Sequence, residues 1–273
     1  MAHFEKINET AEFIRNNCSE TPSIAIVLGS GLGGLVHEIE EIWSAPYGEI
    51  PNFPVSTVKG HSGKLIIGKW AGKIVIAMSG RFHYYEGYSM EEVVFPIRVM
   101  KACGADSIVL SNAAGGLLEG MEVGDVMLIE DHINMQPENP LRGPNDERMG
   151  PRFPDMFHTY DPQLLESAKK YSKLKNYNIH LGNYVGVQGP TFETPAEYRM
   201  FHLIGGGAVG MSTVPEAIVA RHMGMRIFAL SVIADIGYPL ENIEEISHDI
   251  VVAKAQAAEP VMSDIVRHVI EEI

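Results

Sequence analysis

Several glycine-rich and polar segments of this sequence follow short apolar runs, the position where α/β proteins usually place their chemistry. Gly29-Ser-Gly-Leu-Gly-Gly34 follows Ile24–Leu28 and satisfies G-x-G-x-x-G. A glycine loop of this kind, opening a helix, offers backbone N–H groups and the Ser30 hydroxyl to an anion such as phosphate. Gly80-Arg-Phe-His-Tyr-Tyr-Glu-Gly87 gathers Arg81, His83, Tyr85 and Glu86 in one turn. The forked guanidinium of Arg81 suits phosphate oxygens, and a surface ion pair is the plainer alternative. Ser111-Asn-Ala-Ala-Gly-Gly116 comes after Ile108–Leu110. Its small residues let a ligand approach backbone N–H groups, or let a helix pack tightly on the sheet.

Further along, Gly189-Pro-Thr-Phe-Glu193 precedes a helix start. Glu193 can point into a cleft there, with Phe192 available to stack on a planar ring. Met211-Ser-Thr213 puts the Ser212 hydroxyl beside another helix start, and Asp235 ends the run Phe228–Ala234. His248 opens the last helix after Ser247. His61, in Val58-Lys-Gly-His-Ser-Gly63, is by itself an ordinary loop histidine.

The elements that must hold these residues are legible as alternating patterns. Val- and Ile-rich runs at Ile24–Leu28, Ile74–Met78, Ile108–Leu110, Val126–Ile129, Tyr184–Val187 and Ile227–Val232 predict strands covered on both faces. Helices are predicted for the N-terminal stretch and near Glu91–Cys103, Pro162–Lys173, Pro195–Leu203, Val214–His222 and His248–Glu271. The alternation predicts a three-layer α/β architecture in a single domain spanning 1–273, since no low-complexity linker or repeat divides the chain. Ser89–Glu92, Thr194–Glu197 and Thr213–Glu216 each read as a capping box, with Glu three residues after a hydroxyl. The irregular stretch Gln136–Asp161 is long enough to predict a functional or interfacial role.

Composition narrows the function. A formal net charge of −14 over 273 residues disfavours a nucleic-acid partner. No run approaches the roughly 18 apolar residues of a membrane helix. The N-terminus lacks the basic start and apolar core of a secretory signal, and Cys18 and Cys103 have no ligand-like spacing. Together these predict a cytoplasmic protein without a disulfide framework or metal site. A dinucleotide enzyme needs a second parallel strand after the glycine loop; Trp43–Pro54 carries three prolines instead.

Taken together the motifs resemble the trimeric class of purine nucleoside phosphorylases along nearly the whole chain. The resemblance rests on GSGLGG (29–34), GHSGKL (60–65), GRFHYYEGY (80–88), SNAAGGL (111–117) and EVGDVMLIEDHIN (122–134). It continues through GPNDERMGPRFPDM (143–156), GPTFETPAE (189–197) and VGMSTVPEAIVARH (209–222). It implies an αβα fold with a central mixed β-sheet, and phosphorolysis of purine nucleosides to free base and ribose 1-phosphate. Inorganic phosphate is then a co-substrate, with no metal or organic cofactor, and the protein a homotrimer.

By the same resemblance, phosphate is held by Ser30, His61, Arg81, His83, the backbone N–H of Ala113, and Ser212. Tyr85 and Met211 meet the ribose, and His248 its 5′-hydroxyl. Phe192, Glu193 and Asp235 surround the purine, and Phe153 reaches a neighbouring subunit's site. His83, Glu193, Asp235 and His248 are the catalytic candidates. The chain departs from many 6-oxopurine-specific relatives in having Asp235 where they have Asn. An ionised carboxylate only accepts hydrogen bonds, so Asp235 is expected to hold a proton and act as general acid toward N7. Inosine and guanosine are the expected substrates, with adenosine or methylthioadenosine as alternatives. Methylthioadenosine phosphorylases generally have Thr at the positions of Ser30 and Ser212, and lack a counterpart of His248. An NAD-dependent dehydrogenase and a non-catalytic nucleoside-binding protein are the readings of another class.

Overall fold

The computed structural model describes residues 3–29, 31–55 and 63–273; Ser30 and His61, both expected at the phosphate site, lie outside them. Helix α1 (His3–Asn17) leads into β1 (Ile24–Leu28), then β2 (Glu40–Pro46), β3 (Lys64–Trp70) and β4 (Lys73–Ser79). After α2 (Met90–Ala102) come β5 (Ser107–Gly116) and β6 (Val126–Asn134). Next are α3 (Pro162–Leu174), β7 (Ile179–Gly186), α4 (Pro195–Leu203), β8 (Gly206–Gly210) and α5 (Val214–His222). β9 (Arg226–Ile236) and the long α6 (His248–Glu272) complete the chain.

Every residue of β1 is buried, as its uninterrupted apolar run implies. It lies between β4 and β5, parallel to both, with Val27 opposite Met78 on one side and Leu110 on the other. Alternation then sends Ala25 and Val27 to one face and Ile24, Ile26 and Leu28 to the other. The first face packs under α1, α2 and α5, the second under α3 and α6. A mixed sheet between helical layers is the expected architecture.

The nine strands run β2-β3-β4-β1-β5-β8-β7-β6-β9, and β9 also pairs with β5. The strands β5, β8, β7, β6 and β9 therefore close into a ring, with β9 parallel to β5 and antiparallel to β6. A smaller buried cluster joins Val185 of β7 and Val209 of β8 to Tyr198 and Phe201 of α4.

Three strands escaped the sequence reading for separate reasons. β2 is a largely exposed strand at the edge of the sheet, antiparallel to β3. β8 is Gly-Gly-Ala-Val-Gly and carries almost no apolar signal. β3 has a buried core of Leu65, Ile66 and Ile67, but Gly68 and Lys69 interrupt its pattern.

Corrections also fall on the motif segments. The glycine loop opens a short 3₁₀ segment, Gly33–Glu38, rather than an α-helix. Ser111–Gly116 does not follow the predicted strand but forms the second half of β5. Its register against β9 shifts between Ala114 and Gly115, which sets Gly115 opposite Asp235. A bulge there re-aims backbone next to a carboxylate. The boxes at Ser89 and Thr194 form as expected. The third does not, because Thr213 lies at φ 63° and makes no side-chain cap.

Candidate active site

A cavity of about 310 Å³ opens where β5, β8 and β9 meet the loops after β4 and β7. It falls within the size range of small-molecule sites. Arg81, His83, Tyr85, Ala113, Phe192, Glu193, Met211, Ser212, Asp235 and His248 all line it. These residues span positions 81 to 248, and the fold brings ten of the expected site residues to one hollow.

Arg81 leaves the end of β4 and is 1% exposed. Its Nε and Nη2 donate to the two carboxylate oxygens of Glu216, at 3.0 and 2.6 Å, and Nη1 donates to the Ser111 carbonyl at 2.5 Å. Glu216 sits in the first turn of α5, where a cap partner was expected for Thr213. It serves the arginine instead. A fork-to-fork pair of this kind fixes the plane of the guanidinium and offsets the cost of burying its charge.

Thr213 explains how α5 starts there. With φ 63° and ψ −52°, and Val214 N–H donating to the Ser212 carbonyl at 2.6 Å, it is the centre of a γ-turn of the rare strained kind. A β-branched residue at such a φ costs on the order of 1–3 kcal/mol. The turn is held by Asn112 Nδ2, which donates to Thr213 Oγ1 at 2.9 Å. Ser212 Oγ lies 3.1 Å from Thr213 Oγ1 and 3.4 Å from the buried Tyr184 hydroxyl. Strain spent at Thr213 thus fixes both Ser212 and Glu216.

Next to Arg81, Glu86 Oε1 accepts from the His83 backbone N–H at 2.9 Å and lies 3.0 Å from His83 Nδ1. Burial lowers the His83 pKa, so the ring is neutral at pH 7, and the carboxylate favours the Nδ1–H tautomer. Its ring stacks on Tyr85 with centroids 4.6 Å apart.

The opposite end of the cavity is acidic. Burial pushes Glu193 up to about 7, and the nearby Asp235 charge acts in the same direction. Burial raises Asp235 as well. The Tyr198 hydroxyl, from α4, donates to Asp235 Oδ2 at 3.0 Å. Glycines make the room: a Cβ on Gly237 would meet the Tyr198 ring at 2.3 Å, and one on Gly115 would sit 3.1 Å from Asp235 Oδ2. Phe192, 39% exposed, borders this end.

Between the two ends, Met211 lies over Gly189, whose missing side chain and φ of +68° permit the contact. His248 and Val251 reach the cavity from the first turn of α6. Ser247 caps that helix, accepting from the Ile250 N–H at 3.4 Å. Phe153 does not line the cavity of its own chain; it is 87% exposed on the long loop. Among the described residues no group of three or more His, Cys, Asp or Glu is arranged to hold a metal ion.

The sequence compares directly with known proteins. The family model described as the phosphorylase superfamily matches residues 23–271. Purine nucleoside phosphorylase 1 of Geobacillus stearothermophilus is 48% identical over 96% of this chain and 94% of its own. The chain belongs to the purine nucleoside phosphorylases. Crystal structures agree: isoform 2 of the Schistosoma mansoni purine nucleoside phosphorylase, in complex with cytosine and ribose-1-phosphate, superposes with a TM-score of 0.93 at 40% identity. That match covers 99% of this chain and 97% of the other. A Schistosoma mansoni purine nucleoside phosphorylase in complex with adenosine gives 0.92 at 39% identity, over 98% and 97%.

For a purine nucleoside phosphorylase, the residues that sequence reasoning missed are as informative as those it found. Tyr198 falls within the predicted helix Pro195–Leu203, and no spacing rule ties it to Asp235. Glu216 was visible but carried a better-known explanation as a cap. Asn112 lay inside a named motif, and only the fold shows its amide turned to Thr213.

Proposed function

We propose that the chain carries out reversible phosphorolysis of purine (deoxy)ribonucleosides, with inosine and guanosine preferred. As a member of this family it is a pentosyltransferase, and purine base plus pentose 1-phosphate are its products. The observation that carries the substrate reading is one cavity with a basic end, at Arg81, and a proton-rich acidic end, at Glu193 and Asp235.

Phosphate occupies the basic end. Arg81, held in plane by Glu216, donates to phosphate oxygens, joined by Ser212, His83 and the backbone N–H of Ala113; Ser30 and His61 complete the set. The purine occupies the acidic end beside Phe192. An ionised Glu193 accepts from N1–H of a 6-oxopurine, and protonated Asp235 faces N7. The pentose lies between them against Tyr85 and Met211, with His248 at its 5′-hydroxyl.

In the reaction, the C1′–N9 bond lengthens first and its electron pair leaves with the purine. Positive charge on the sugar is stabilised by the phosphate held beneath it. Asp235 passes its proton to N7 as charge builds there. A phosphate oxygen then bonds C1′ from the face opposite the departing base, with inversion. Holding both reactants in one cavity removes most of the entropy cost of their encounter. No metal or organic cofactor enters these steps.

The exposed Phe153 fits a role at a neighbouring subunit's cavity in a homotrimer. Among the described residues no helix is long and apolar enough to cross a membrane, and the acidic chain suits the cytoplasm. The test is base release from inosine, guanosine and adenosine with and without phosphate. Phosphate-dependent release from inosine and guanosine supports the reading; no release from any of the three refutes it.

A further inference from the structure

A second cavity, of about 300 Å³, shares no lining residue with the one around Arg81. Two helices supply its walls at i, i+3 spacing: Phe4 and Ile7 from α1, Arg98 and Lys101 from α2. Arg148 of the long loop and Met223, which follows the last turn of α5, complete it. The first turn of α5 carries Glu216, the partner of Arg81, so this helix of about 14 Å reaches from one cavity to the other.

Arg98 is the unusual member. It is 5% exposed, and neither Nε nor Nη1 has a hydrogen-bond partner among the described residues. The nearby carboxylates are engaged elsewhere: Glu91 lies 2.5 Å from His3 Nδ1, and Asp146 lies 2.5 Å from Arg148 Nη2. Their charges act on Arg98 from a distance, and burial holds the guanidinium down to about 10, so it stays charged at neutral pH. A buried guanidinium with unmatched N–H groups costs stability until an acceptor meets it. The buried Arg81 shows the contrast, with both oxygens of Glu216 set against its fork.

The surroundings indicate what that acceptor is. Lys101 pairs with the exposed Asp106 at 2.5 Å, and Arg148 Nη1 with Glu5 at 3.3 Å. Among the described residues no carboxylate lines the cavity itself. Three cations around one hollow run against the net charge of −14 and concentrate anions there. Much of the remaining wall is apolar, and the Phe4 ring centroid lies 3.8 Å from the guanidinium carbon of Arg148. Arg98 also borders a smaller cavity of about 90 Å³, but Glu91 and Asp146 line that one and oppose an anion.

We infer that the larger cavity is a second ligand site, which takes a phosphomonoester with an apolar body, such as an aryl phosphate. The phosphoryl oxygens meet the fork of Arg98 and the Lys101 ammonium. The body lies against Phe4, Ile7 and Met223. This site stands apart from phosphorolysis and does not depend on it.

Calorimetric titration with phenyl phosphate tests the inference. The phosphoryl group can also enter the cavity around Arg81, so the number of sites per chain separates the two. Wild type should bind two molecules per chain. In Arg98→Met the second site should weaken about 10- to 150-fold, the loss of one charge-assisted hydrogen bond, while the first keeps its affinity. Met223→Trp narrows the cavity without altering its charge and should weaken the same site. Inorganic phosphate should bind there about tenfold more weakly than phenyl phosphate, because it buries no apolar surface. A separate readout excludes a structural role: without ligand, Arg98→Met should have a Tm at or above that of wild type, since an unmatched charge leaves the interior. Four results overturn the inference: one site per chain in wild type, two sites of wild-type affinity in either variant, inorganic phosphate bound as tightly as phenyl phosphate, or a lowered Tm in ligand-free Arg98→Met. Absence of phosphate-dependent cleavage of inosine would remove the functional reading and leave this one standing.

Discussion

Glu216 offers the most direct test of how phosphate is bound. Replacing it by Gln keeps the size of the side chain but removes the charge that faces the buried guanidinium. The amide oxygen still accepts from Arg81 Nε, while the amide nitrogen confronts Nη2, where a carboxylate oxygen now lies at 2.6 Å. Both side chains are almost fully buried, 1% and 4% exposed, so water cannot take over the lost role. Breaking a buried ion pair from one side costs about 3–5 kcal/mol. With an unfolding entropy of about 2.1 cal/mol/K per residue, the 273-residue chain loses about 5–9 °C of Tm. The functional effect is separate. A misaligned Arg81 forfeits about one charge-assisted hydrogen bond to phosphate, about 1.5–3 kcal/mol, or about 10- to 150-fold in phosphate KM. Initial rates with inosine at varied phosphate measure this, and calorimetric titration of nucleoside without phosphate serves as the control. Nucleoside affinity should change less than threefold. A phosphate KM within twofold of wild type would refute the argument that Glu216 aims Arg81.

Other perturbations test other parts of the site. Because Glu193 is raised from its ordinary value to about 7, the folded state binds a proton between about pH 4.5 and 7 that the unfolded chain does not; stability from this group is therefore present at low pH and lost as pH rises. Glu193→Gln should stabilise the fold at pH 8 by on the order of 3 kcal/mol relative to wild type, read as a higher Tm, and change Tm little at pH 5. Scanning calorimetry at the two pH values checks the sign. Gly31→Ala adds a methyl 2.5 Å from Ala255 Cβ at a φ of +75°, so it should lower Tm and push α6 with His248 outward, raising nucleoside KM more than tenfold. Gly115→Ala should displace Asp235 and lower kcat with inosine about tenfold while leaving phosphate KM near wild type. Phe153→Ala should raise nucleoside KM in the assembled enzyme if the residue serves a neighbour; light scattering with kinetics on the same sample separates that from loss of assembly.

Most of the site was readable in the sequence because its residues sit at helix starts and strand ends, where local chemistry is visible. Thr194 and Ser89 announce their helices, and Pro195–Leu203 and Val214–His222 have the predicted bounds. What sequence could not show was partnership between distant residues. Arg81 and Glu216 are 135 positions apart, and Tyr198 and Asp235 37 apart, with no periodicity to join them. Thr213 misled the reading because a capping box and a γ-turn use the same residue types, and only the tertiary demand of Arg81 for a carboxylate decides between them. β8 was invisible for a different reason: glycines that allow strands and ligand to approach closely remove the apolar signal that marks a strand.

The closed ring of strands has a consequence for when the protein can work. β9 is the strand that seals the ring, bonded to β5, more than a hundred residues before it, and to β6. Contacts between such distant segments form late, since a long loop must be closed before they return any stabilisation. β9 also carries Asp235, and His248 follows on α6. During synthesis on a ribosome, Arg81 and the first half of the sheet emerge long before the acidic end of the cavity has its carboxyl groups. The fold therefore couples completion of the chain to completion of the cavity: a chain released before β9 lacks both a sealed ring and the Asp235 side of the cavity.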